Sequence, residues 1–325
     1  MYLQIDSQHY LIHFLDESNI NLHGGQMTAI SLNELQSHPD YRVLKRVSEK
    51  FDRLPNQDDK LFVATIIDLE TMGMNPKENE IIEIGMLSFM FSTGDGIVGV
   101  TDTYNELNDP DKPIPAEITR ITKITDADVT GKFIDWGVVS QILRQSHLVI
   151  CHNSGFDRKF LELQTPEEIR SIVESKPFAC TVNDVDWKGR GYESSKLDYL
   201  NFKMGYFYEG HRALVDCWAT FNLFRHEPES FDELKANVRR KEILLCAANA
   251  PFDKKDLLKA RKYRWDDGLG SLPKCWRTMI ASDLLEAEQS WLDKEIYGRE
   301  GASRSLPMLE VSAFKRYSHR AELME

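Results

Sequence analysis

The stretch Phe62-Val63-Ala64-Thr65-Ile66-Ile67-Asp68-Leu69-Glu70 decides how this chain is read. Six apolar or β-branched residues in a row have the pattern of a strand buried on both faces, because an alternating pattern would leave one face wet. The run then ends in two acids separated by one residue. Side chains two apart on a strand point the same way, so Asp68 and Glu70 are expected to share a face. Two like charges side by side repel unless a cation lies between them. Magnesium and manganese prefer such oxygen ligands. A pair of solvated acids at a strand end is the plainer alternative for these two residues taken alone.

Working outward, Gly73 and Pro76 mark a turn, Ile81–Ser92 reads as a second strand and Ile97–Glu106 as a third. A loop with Pro110, Pro113 and Pro115 follows. A helix is expected over Trp136–Gln145, a buried strand over His147–His152, a helix over Phe156–Leu163 and a short strand over Phe178–Val182. Ser194–Met204 reads as a helix capped by Ser194 or Ser195, and Leu214–Phe224 as a strongly apolar one. Three adjacent strands followed by alternating helices and strands indicate an α/β fold, a mixed sheet covered by helices.

Two further pieces carry candidate chemistry. His152-Asn153-Ser154-Gly155-Phe156-Asp157 leaves a buried strand and opens a helix, which puts Asp157 in the first turn. A dipole-favoured acid would account for Asp157 but not for the wider pattern. His211-Arg212-Ala213-Leu214-Val215-Asp216 places a histidine before a helix and an acid within it. Histidine is the residue type that takes up a proton near neutral pH. Asp216 sits among Val215, Cys217, Trp218 and Ala219, where an acid is costly unless paired or metal-bound.

These pieces together resemble the DEDDh class of 3′→5′ exonucleases, the DnaQ-like family that includes the proofreading epsilon subunit of bacterial DNA polymerase III. Asp68–Gly73 resembles its first motif, Glu80–Gly85 its second strand, and Ile121–Thr125 its I-T-G-I-T segment with Lys123 where glycine is usual. Asn153–Asp157 and His211–Asp216 resemble its second and third motifs, and the likeness runs from about Phe62 to Phe224. The resemblance implies an RNase H-like five-stranded mixed sheet and hydrolysis of terminal phosphodiesters to nucleoside monophosphates. It implies two divalent ions, Mg²⁺ or Mn²⁺, ~4 Å apart, held by Asp68, Glu70, Asp157 and Asp216, with Glu70 touching both and His211 as general base. Thr71, Met72, Asn153 and Phe156, with His211, would meet the substrate. Single-stranded DNA 3′ ends are the expected substrate. The alternatives are an RNA-trimming exoribonuclease and a non-catalytic end-binding or polymerase accessory protein. A polymerase or repair complex is an expected partner.

Residues 1–60 read as an N-terminal extension packed on the main domain, with helices opening near Ser31 and over Tyr41–Phe51; 61–228 read as the exonuclease domain and 229–325 as a small α/β module. In that module Glu242–Ala247 and Lys274–Ile280 suggest strands, Lys254–Arg261 a helix, and Asp283 the cap of a long helix through Tyr297. Between Lys235 and Arg264 there are ten basic residues against three acidic ones, in a chain of net charge −12. Tyr263, Trp265, Trp276 and Trp291 lie nearby, and basic residues interleaved with aromatics suit single-stranded nucleic acid or, equally, a solvated helix face over a small aromatic core. The overall acidity argues against a non-specific nucleic-acid coat. Five scattered cysteines without a CxxC pair argue against a cysteine zinc site and for a reducing compartment. No apolar run reaches membrane-spanning length and the N-terminus lacks a signal-peptide pattern, so the cytoplasm is the expected location and no membrane partner is expected.

Overall fold

The computed structural model describes residues 32–51, 60–92, 94, 96–268 and 273–321. Five strands form the principal sheet: β1 (Leu61–Thr71), β2 (Ile81–Ser92), β3 (Gly96–Leu107), β4 (Leu148–Cys151) and β5 (Phe178–Cys180). Their order is β3-β2-β1-β4-β5. The first three run antiparallel as a meander, and β4 and β5 add parallel to β1. This is the RNase H-like mixed sheet.

The unbroken apolar runs follow from helices on both faces. Ala64, Ile66, Leu87, Phe89 and Ile150 face a core shared with Cys217, Phe221 and Phe224 of the helix Ala213–His226. Ile67, Leu69, Ile84, Met86 and Val149 face the opposite core, built with α1 (Trp136–Gln145) and α2 (Ser154–Gln164). We label the helix Leu197–Lys203 α3 and Ala213–His226 α4. At Gly85 a Cβ would lie 2.3 Å from Ala213 C and Leu214 N, so only glycine lets α4 approach β2 this closely. The next helix, α5 (Pro228–Arg239), adds Phe231 and Leu234 to the first core.

Lys123 occupies the left-handed residue that ends the helix Ala116–Thr122, with φ 62° and its N–H donating to Thr119 O. Glycine suits this position because it has no Cβ to clash. Lys123→Gly is therefore expected to stabilise the protein by about 1 kcal/mol. Urea unfolding checks this, and a lowered midpoint would contradict it.

Three local expectations are corrected. Tyr41–Phe51 is not helical: Lys45–Arg46 pairs in parallel with Tyr206–Phe207. Tertiary contacts override the local pattern there. Lys45 N and Val47 N donate to Gly205 O and Phe207 O, and the Arg42 guanidinium lies 4.5 Å over the Phe202 ring. α3 begins at Leu197 without a serine cap, because the Ser194 hydroxyl instead accepts from Lys196 N in a local turn. Asp283 does not cap the long helix but lies inside the helical run that starts at Ser282. Most of the expected N-terminal extension, 1–31 and 52–59, lies outside the described residues.

A second, all-antiparallel sheet contains β6 (Glu242–Ala247), β7 (Arg264–Asp266), β8 (Cys275–Ala281) and β9 (Met308–Val311), in the order β9-β6-β8-β7. Tyr263 and Trp291 belong to its core, whereas Trp265 is exposed. All five cysteines are buried and free. Among the described residues no helix is long and apolar enough to cross a membrane.

Candidate active site

A cleft of about 670 Å³ opens where β1, α2 and α4 meet. Asp68, Glu70, Asn153, Phe156, Asp157, His211 and Asp216 all line it. Strand parity puts Asp68 and Glu70 on one face, and the register irregularity that follows Glu70 ends the regular pairing of β1 with β2. Asp157 and Asp216 each sit in the first turn of a helix. One carboxylate oxygen each from Asp68, Glu70 and Asp216 lies within 4.8 Å of the others.

The acids are anchored by backbone donors. Leu69 N donates to Asp157 Oδ1 at 3.2 Å, and Arg212 N donates to Asp216 Oδ2 at 3.1 Å. Asp157 Oδ2 is buried and has no hydrogen-bond partner among the described residues. Asp157 lies outside that close group of three but lines the same cleft, and a buried, orphaned carboxylate oxygen in a cleft with three more carboxylates is what an oxygen-loving divalent cation satisfies. The donor set thus fits such an ion.

The metal-free electrostatics say the same. Burial first, then the Asp216, Asp157 and Glu70 charges, hold the Asp68 carboxyl well above the usual range. Burial followed by Asp216 and Glu83 pushes Glu70 up to about 8. Burial pushes Asp157 up to about 8, against the N–H groups of Asp157 and Leu69. Asp216 rises only to about 6, because the Arg212 and His211 backbone donors and the His211 ring oppose its burial.

His211 stands exposed at the cleft rim with φ 65°, a left-handed conformation in the loop before α4. Its neighbour Arg212 fixes that loop. Arg212 Nε and Nη2 reach Glu83 Oε2 and Oε1 at 3.1 and 2.8 Å, and Ala213 N donates to Glu83 Oε2 at 3.0 Å. Glu83 is fully buried and serves as the anion at the N-terminus of α4. A role for Glu83 was missed from sequence, although an acid inside Ile81-Ile82-Glu83-Ile84 signals a buried partner.

Tyr208 was missed too. It lines the cleft, and burial together with the Asp216 charge pushes its phenol upward, with a hydrogen bond to Asp216. His152 is also at the cleft, but its Nδ1 contacts the Thr181 hydroxyl at 2.6 Å and burial drops it to about 4, so it stays neutral.

The substrate-contact expectations divide. Asn153 and Phe156 line the cleft. Met72 does not present its side chain there: it is buried with Ile82, Ile114, Ile124 and Val129, because it falls on the core side of the chain. The Thr71 hydroxyl donates to Gly73 O at 2.7 Å, and the cleft is lined by Met74 instead.

Residues 65–224 match the RNase T exonuclease family model. The chain is 28% identical over 169 residues to the DNA polymerase III epsilon subunit of Treponema pallidum, a match covering 49% of this chain and 74% of that one. It is 30% identical over 175 residues to the PolC-type DNA polymerase III of Thermotoga maritima, covering 51% of this chain but only 12% of that protein. Solved structures similar in part are exonuclease X bound to a 5′-overhanging DNA duplex (22% identity, TM-score 0.39, 54% of this chain and 98% of that one) and E. coli exonuclease I with single-stranded DNA (13%, 0.44, 68% and 63%). Residues 65–224 thus carry an exonuclease domain similar to the RNase T exonuclease family.

Proposed function

We propose that the protein removes nucleotides one at a time from single-stranded DNA 3′ ends, using Asp68, Glu70, Asp157 and Asp216 to hold two divalent cations, Mg²⁺ or Mn²⁺. The observation that carries this is the cluster of Asp68, Glu70 and Asp216 oxygens, in one cleft with the unsatisfied Asp157 Oδ2. Such cations, when bound, polarise the scissile phosphodiester and its attacking water. His211 at the rim accepts the proton of that water, while the Glu83–Arg212 pair holds the loop carrying it. Asn153 and Phe156 form the wall for the terminal nucleoside, and the Thr71–Met72 backbone lies next to Glu70. The names of the curated relatives, DNA polymerase III subunits, favour DNA over RNA and a polymerase or repair complex as partner. We place the junction between the two modules near Arg240, after α5, since Phe231 and Leu234 belong to the first core.

Digestion of 3′-labelled single- and double-stranded DNA and RNA with Mg²⁺ or Mn²⁺ tests this. Labelled mononucleotide from single-stranded DNA is expected; release from RNA alone would make the protein an exoribonuclease, and release from neither would make it a binding protein. His211→Ala is expected to lower turnover by about two to four orders of magnitude while Mn²⁺ affinity holds. Lost Mn²⁺ binding on calorimetry would make His211 a ligand instead.

A further inference from the structure

A second cleft of about 670 Å³ lies between the exonuclease domain and the C-terminal sheet. Its lining includes the cations Lys159, Arg240, Lys262, Arg264, Arg277 and Arg316 and the acids Asp184, Glu242 and Asp266. All three acids are already engaged: Arg277 pairs with Asp266, and Arg316 reaches Asp184 and Glu242 at 3.4 and 2.7 Å. Lys262 and Arg264 are exposed and meet no carboxylate among the described residues. Arg277 Nη1 is buried there without a hydrogen-bond partner. In a chain of net charge −12, this is a cationic groove held against the overall field.

Trp265 is half exposed in the groove and is not part of the module's core. Its ring is held on edge against Trp276 at 5.7 Å, and its Nε1 donates to Asp267 Oδ1 at 2.9 Å. A fixed, open indole face beside unpaired cations is a stacking platform for bases along a phosphate backbone.

The two clefts share a wall. Gly155 and Lys159 of α2 line the groove, while Asn153, Phe156 and Asp157 line the carboxylate cleft. A Cβ on Gly155 would meet only Asn153 Oδ1, at 4.0 Å, so the surface of α2 is uncrowded at this point between the two clefts.

We propose that this groove binds the single-stranded nucleic acid upstream of the 3′-terminal nucleotide, with Trp265 stacking on a base and Lys262 and Arg264 on phosphates. This rests on the exonuclease reading of the carboxylate cleft. The test compares the full-length protein with Trp265→Ala, Trp265→Phe and the double variant Lys262→Glu/Arg264→Glu. Each is assayed on oligothymidylate, on oligouridylate and on the p-nitrophenyl ester of thymidine 5′-monophosphate, which occupies the carboxylate cleft alone. Trp265→Ala and the double variant are expected to raise KM for the oligomer about tenfold or more, with ester hydrolysis unchanged and Trp265→Phe restoring most of the loss. The double variant is also expected to flatten the salt dependence of binding by a slope of about 1.4. A DNA or RNA preference is read from which oligomer shows the effect. Wild-type KM on both oligomers in all variants, with the ester still hydrolysed, would overturn the groove and leave the exonuclease reading standing. A wild-type protein that hydrolyses neither substrate, yet binds oligomer with Trp265-dependent affinity, would overturn the cleft reading and leave the groove.

Discussion

Replacing Asp68 with asparagine is expected to abolish nucleotide release and, in the metal-free protein, to raise stability. The loss follows from removing one wall of a cation site: several kcal/mol of transition-state stabilisation, about three orders of magnitude in rate or more. The gain follows from the metal-free electrostatics. Burial and the Asp216, Asp157 and Glu70 charges disfavour the Asp68 carboxylate, so a neutral amide of the same shape relieves repulsion. The sign with pH follows. Carboxyls pushed up to about 8 at Glu70 and Asp157 bind more protons in the folded than in the unfolded state, whose carboxyls titrate near about 4. The stability these two carboxyls contribute in the metal-free protein is therefore fully present at about pH 4 and is lost as pH rises through about 8. Added Mn²⁺ should raise the melting temperature more at pH 8 than at pH 6, and Asp68→Asn should abolish most of that difference. Calorimetric melts with chelator and with Mn²⁺ check this. An asparagine variant that melts lower than wild type without metal would contradict it.

Removing the C-terminal tail from Ser312 onward is expected to cost about 3–5 kcal/mol and to take activity with it, because the tail holds the helix carrying Asp157. Arg158, the next residue, is fully buried. Its Nη1 donates to Ala313 O and Arg316 O at 3.0 and 2.9 Å, its Nη2 to Phe314 O at 2.6 Å, and its Nε to Glu162 Oε1 at 2.8 Å. The guanidinium stacks 4.2 Å over the Phe178 ring of β5. Ser318 and Arg320 complete the Glu162 carboxylate. Without the tail, three carbonyl acceptors vanish from a buried cation. Arg158→Ala should approach the same cost, since it orphans those carbonyls and one side of Glu162. Arg158→Met should cost less, because an apolar side chain of similar length fills the space without a buried charge. Urea unfolding of the truncated and substituted proteins decides. A tail-less protein melting within a degree or two of full length would show that the contacts are incidental.

The parts of this molecule that could be read from sequence are those written in local periodicity. Phe62–Ile67 announced a doubly buried strand, and its parity put Asp68 and Glu70 on one face. The position of Asp157 in a first helical turn and that of Asp216 within a helix were likewise visible. Lys123, where the family's pattern carries glycine, proved to be a left-handed helix end. What could not be read depends on pairings across long separations. Glu83 meets Arg212 across 129 residues, and Arg158 meets Arg316 across 158. Neither leaves a periodic trace. Met72 failed because the parity that holds for Asp68 and Glu70 is lost at the irregularity beyond Glu70, which turns the side chain into the core. The aromatics of the second module divide too: Tyr263, just before β7, is buried, whereas Trp265 within it is exposed.

Anomalous diffraction from crystals soaked in Mn²⁺ bears on the carboxylate cleft most directly. Peaks are expected between Asp157 Oδ2 and the oxygens of Asp68, Glu70 and Asp216, weakened or gone in Asp68→Asn crystals. A saturating soak that leaves this cleft without a peak, while the same crystals hold manganese elsewhere, would contradict the assignment of these four acids as one cation site.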